Sequence, residues 1–180
     1  MKPSARAVAD AINTLNEWIG RAVAWLLVLM VATVAFDVAM RYLFQSGSVA
    51  LQELEWHLFG IIFLGGAAYT LKHGDHVSVD VLYASRHLGD RQRLIIDIAG
   101  TVLFLLPFSA LVVWSSLPFV ADAWQASEHS PDPGGLRWRW LIKAAIPAGF
   151  ALLMLQGVAG LIERVAALRA GPGATDGAGR

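Results

Sequence analysis

Cysteine is absent from this 180-residue chain, which rules out disulfides, thiolate nucleophiles, iron–sulfur clusters and cysteine-based zinc sites. Charge is scarce as well: Asp, Glu, Lys and Arg make up 16% of the residues, against about 25% in a soluble domain. Neither sign is in surplus. The 14 basic residues balance 14 acidic ones, so there is no basic field to hold nucleic acid by counterion release. In place of charge the chain has apolar residues, 56% of the total, where soluble domains run at about 45–50%. That balance argues against a soluble globular protein and points to the bilayer.

Four long apolar stretches carry the excess, at residues 22–36, 56–71, 98–121 and 144–162. A spanning helix needs about 20 mostly apolar residues. The last two stretches qualify outright, and the first two qualify once their charged ends sit at the interface. Membrane strands would be about 9–11 residues long with alternating polarity, whereas these runs are continuous. The expected fold is therefore all-α, an integral membrane protein of four transmembrane helices near residues 18–44, 51–71, 94–124 and 140–163. Residues 1–17 are expected to form an N-terminal cytoplasmic segment and 167–180 a flexible Gly/Ala-rich tail. A cleaved signal peptide competes for the first stretch. Its n-region would contain Asp10 and Glu17, which is unusual for such segments and favours a retained helix. The third helix is longer than a ~30 Å hydrocarbon core, so it must tilt, kink at Pro107 or Pro118, or project.

Charges at membrane depth are costly and are the natural candidates for function. Asp37 and Arg41 are spaced i, i+4 and can pair on one helix face. Glu53 and Glu55 open the second helix on the same membrane side, so an Arg41–Glu53 bridge between helices is geometrically plausible. Such charges could form a ligand set or a structural pair; their place near helix ends favours the structural reading. His73 and His76, flanked by Asp75 and Asp80, could hint at a metal site, but their spacing completes no known pattern. His57 is the one histidine within a span, and haem ligation there would need a second axial ligand. Small residues at Gly66/Thr70 and Ala145/Gly149 allow close helix approach. The residues thus define no catalytic group, cofactor or metal site. A membrane anchor or cytochrome-like subunit of a redox enzyme remains an alternative reading.

Several motifs fall in a recognisable order: Arg41-Tyr42-Leu43-Phe44, then Glu53, Gly66-Ala67-Ala68-Tyr69 and His76-Val77-Ser78-Val79-Asp80. Further on come Glu128-His129-Ser130-Pro131-Asp132-Pro133-Gly134-Gly135-Leu136, Lys143, Ile146-Pro147, Gly149-Phe150 and Gln156-Gly157. In this order the chain resembles the small membrane (DctQ-like) subunit of tripartite ATP-independent periplasmic (TRAP) transporters, over about residues 18–164. It departs at Ser78, where many relatives carry Arg, and at Arg137, where a Pro often follows Gly-Gly-Leu.

The resemblance implies a non-enzymatic accessory subunit in the bacterial inner membrane. It would support a large permease subunit and help dock a periplasmic solute-binding protein during sodium-coupled uptake of a carboxylate-type solute. It also implies no cofactor of its own. Asp37, Arg41, Glu53, His76, Asp80, Glu128, Arg137, Arg139 and Lys143 become the structural or interface candidates.

Orientation follows from the basic residues. Four spans put the N-terminus, the second loop and the C-terminus on one side, with Lys2, Arg6, Arg21, Lys72, Arg86, Arg91, Arg93, Arg164, Arg169 and Arg180. Only Arg41, Arg137, Arg139 and Lys143 lie on the other. The positive-inside rule then places both termini in the cytoplasm. Reporter fusions at Arg180 and Ser130 are expected to read cytoplasmic and periplasmic respectively; the reverse pattern would overturn this topology.

Overall fold

The computed structural model describes residues 3–74 and 89–170. It is helical, with no strand among the described residues. Helix α1 is Pro3–Leu43 and α2 is Val49–His73. The third span is composite: α3 (Asp90–Gly100), a π-helical turn (Thr101–Leu105) and α4 (Leu106–Gln125). Helix α5 is Trp140–Ala170. Four of these segments are long and apolar enough to cross a membrane: Pro3–Leu43, Val49–His73, Arg91–Gln125 and Trp140–Arg169.

The largest difference from the expected boundaries is at the start. The first helix begins at Pro3 and not near Trp18, because residues 4–17 contain no Gly or Pro to break it. Its 41 residues make it about 60 Å long at ~1.5 Å per residue, roughly twice the hydrocarbon thickness. Inward positions recur every seven residues at Ala9, Asn16, Val23, Met30 and Asp37, the single narrow stripe of a coiled-coil seam. The remaining face is exposed and apolar, as a lipid-bathed helix requires.

Helix ends are set by local chemistry. Ser48 caps α2, its hydroxyl accepting the Leu51 N–H at 3.4 Å. Gly74, at φ 75°, closes the same helix in the left-handed conformation that glycine adopts without strain. In the third span Pro107 lacks the N–H that Leu103 would otherwise receive. Leu106 N–H reaches back five residues to Thr101 O, giving the π turn. That turn takes up one extra residue. Thr101, Ser109, Ser116 and Ala123 therefore stay on one buried stripe, although the first interval is eight residues and the others seven.

Helix α5 is the hub: it packs against α1, α2 and α4, whereas α4 packs principally on α5. Without a hydrophobic drive between helices in lipid, close approach and side-chain fit must hold them. Gly149 lies directly on α2, where a Cβ would come 2.8 Å from Leu64 Cβ and 2.9 Å from its carbonyl oxygen. Phe108 and Phe150 meet edge-on at 5.9 Å, as do Trp124 and Trp140 at 4.5 Å. Gly149→Leu is expected to destabilise the bundle by about 1–3 kcal/mol through overpacking, measured by reversible unfolding in mixed micelles. Gly100→Ala, where a Cβ meets nothing within 4 Å, is the control. Equal effects of the two would show that the α2–α5 contact is not tight.

Candidate functional site

Two polar clusters bracket the apolar middle of the bundle. At the end nearest the termini, α1, α2 and α5 are tied by amides and carboxylates. Asn16 donates to Gln156 Oε1 at 2.7 Å, and Gln156 donates on to Asn13 Oδ1 at 2.9 Å. Asn13 also donates to Glu163 at 2.8 Å. Lys72 pairs with Glu17 at 2.6 Å, and Arg164 pairs with Asp97 at 3.5 Å. Asn16 and Gln156 are buried; the Asn16 amide N–H is satisfied by Gln156 where water is excluded, while Asn16 Oδ1 has no hydrogen-bond partner. Sequence reasoning passed over Asn16 and met Gln156 only as part of a motif. Asn16 lies 21 residues, three seven-residue repeats, before Asp37 on the α1 stripe, and that was the signal that could have found it.

At the other end the 126–139 connection is folded down onto the bundle. Glu53, buried near the start of α2, accepts the Ser130 hydroxyl and the Leu136 backbone N–H, the latter at 2.6 Å. The loop also bonds to itself, Ser130 N–H to Leu136 O at 3.0 Å and Arg139 N–H to Glu128 O at 3.1 Å. Glu128 receives Lys143 in an ion pair, with Arg139 3.9 Å from its other oxygen. Both cations lie over rings, Lys143 on Phe119 at 3.9 Å and Arg139 on Trp56 at 5.9 Å. Gly135 sits against Ser130 and Glu53, where a Cβ would collide with both side chains.

The structure thus gathers Glu53, Glu128, Arg139 and Lys143 around one tethered loop. The bridge expected between Arg41 and Glu53 is not formed: Arg41 pairs with Asp37 inside α1. The reason is register. Glu17 faces Lys72, Gly20 faces Tyr69 and Val23 faces Gly65 and Gly66. Continued along this antiparallel pair, that offset puts Arg41 level with about residue 48, one turn beyond Glu53. Asp37 is 1% exposed, and its Oδ1 has no hydrogen-bond partner. Arg137 is exposed on the loop, while His76 and Asp80 lie outside the described residues.

His57 is buried, its Nδ1 2.6 Å from the Glu53 carbonyl of its own helix. No group of three or more His, Asp or Glu gathers at metal-binding distance among the described residues.

The fold is that of a four-span membrane protein whose polar side chains tie helices and one loop together. The family described as tripartite ATP-independent periplasmic transporters, DctQ component, matches residues 30–167. The chain belongs to that family, the small permease subunits of TRAP transporters, and is a transporter component and multi-pass membrane protein. A comparison with curated proteins yields no match.

Glu53 generates a direct test. In a double-mutant cycle, Glu53→Ala and Ser130→Ala are expected to couple by about 0.6 kcal/mol, the average for hydrogen bonds in membrane bundles, and by no more than about 1.7. Arg41→Ala and Glu53→Ala are expected to be additive. Coupling of the second pair and additivity of the first would reverse the assignment.

Proposed function

We propose that this chain is the non-transporting scaffold of a TRAP-type importer. It supports the large permease subunit and helps to dock the periplasmic solute-binding protein, and the complex takes up a carboxylate-type solute coupled to sodium. The observation that carries this reading is how the polar side chains of the spans are used. Asn16 engages Gln156, Arg41 engages Asp37, and Glu53 engages the loop. A solute or ion crossing the membrane needs several ligands together that replace its hydration shell, whereas these groups are paired with one another, and the unpartnered oxygens of Asn16 and Asp37 stand 21 residues apart on α1.

The outward faces support the same reading. Helices α1 and α4 each pack by one narrow stripe and leave broad apolar surfaces. Trp114 stands 78% exposed in the middle of the third span, away from the interface where tryptophan is usually found. Such a face suits a protein neighbour as well as lipid. With both termini cytoplasmic, the 126–139 loop stands on the periplasmic side, and its exposed rim around Asp132 offers a surface for weak, charge-guided docking of the binding protein.

Reconstituted alone into vesicles, the chain is expected to move no solute. With the large subunit, the binding protein and a sodium gradient, uptake is expected to appear. Transport by the isolated chain would overturn the scaffold reading.

A further inference from the structure

An open groove of about 920 Å³ lies where the end of α4, the 126–139 loop and the start of α5 meet. Its walls are aromatic and apolar: Trp124, Trp138, Trp140 and Leu141. Arg137 and His129 also line it, and no Asp or Glu does. The loop's own carboxylates are occupied elsewhere or outside it: Glu128 is held by Lys143, and Asp132 is not part of the wall. Neither the Arg137 guanidinium nor the His129 imidazole has a hydrogen-bond or ion-pair partner among the described residues. The groove therefore collects unspent donors and positive charge beside an apolar wall.

Its position in the bilayer narrows the occupant. Trp124 and Trp140 close the ends of two spanning helices and meet edge-to-face, which sets the groove at the headgroup level where tryptophan belts lie. Trp138 is held at φ 63°, a left-handed conformation that is strained for a bulky side chain. It remains 65% exposed.

We propose that this groove binds the headgroup of an anionic phospholipid from the leaflet on that side. Arg137 and His129 would take the phosphodiester oxygens, while Leu141 and the indole faces lie along the glycerol and upper acyl chain. A neutral solute would leave the Arg137 charge unanswered, and a small carboxylate or a free phosphate would leave the apolar wall unused. The lipid would wedge the α4–α5 corner, whose helices otherwise meet along a single stripe.

The test uses the full chain in phosphatidylcholine vesicles containing either brominated phosphatidylglycerol or brominated phosphatidylcholine, with tryptophan quenching as the readout. Brominated phosphatidylglycerol is expected to reach half-maximal quenching at a mole fraction about five-fold lower, the effect of one basic side chain near an anionic headgroup. Arg137→Gln combined with His129→Gln is expected to bring that ratio close to one. Both side chains are exposed and partnerless, so the fold does not depend on them. Arg169→Gln, at the far end of α5, is expected to leave the ratio unchanged. Equal quenching by the two lipids, or a preference that survives the double substitution, would overturn the site. Displacement by free glycerol phosphate would overturn the lipid as its occupant.

Discussion

In hydrocarbon an amide or carboxylate without a partner costs several kcal/mol, and the helices of this chain are arranged so that such groups meet. Asn13 and Asn16 on α1 find Gln156 on α5, and Glu53 on α2 finds Ser130 and the Leu136 N–H. Apolar side chains could not choose between these arrangements, because lipid is as good a neighbour for leucine as another leucine is. The polar contacts select one register, much as a single buried asparagine selects the register of a coiled coil. Glycines such as Gly149 then let the backbones close to contact distance.

The same requirement shapes the 126–139 loop. A connection of this kind could simply stand in solvent. Here Glu53 draws it down, Glu128 binds the first turn of α5 through Lys143, and Arg139 covers Trp56. One face of the subunit is thereby made rigid, with the aromatic groove along its edge. For a component of a tripartite transporter, a rigid face and broad apolar flanks are the properties a supporting subunit needs.

Much of this was legible along the chain. The four apolar runs announce the spans, since length and polarity alone decide whether a helix can cross a bilayer. The pairing of Asp37 with Arg41 follows from their i, i+4 spacing, which any helix brings together. The motif order from Arg41 to Gly157 carries the family. Membership was therefore available without coordinates.

What only the tertiary structure decided concerns pairs far apart in sequence. Arg41 and Glu53 share a membrane side, yet the offset between α1 and α2 leaves them one turn apart. That offset is set by Gly20 under Tyr69 and Lys72 on Glu17, about 50 residues distant along the chain. Ser130 as the partner of Glu53 was equally hidden, because a loop hydroxyl has no periodicity to mark it. Nor could one strand of sequence show that the π turn before Pro107 keeps Thr101 in line with Ser109 and Ser116. Sequence determines which segments enter the membrane, because that is a local property of composition; which side chains then meet depends on the relative offset of whole helices, and this emerges only when all their contacts are satisfied together.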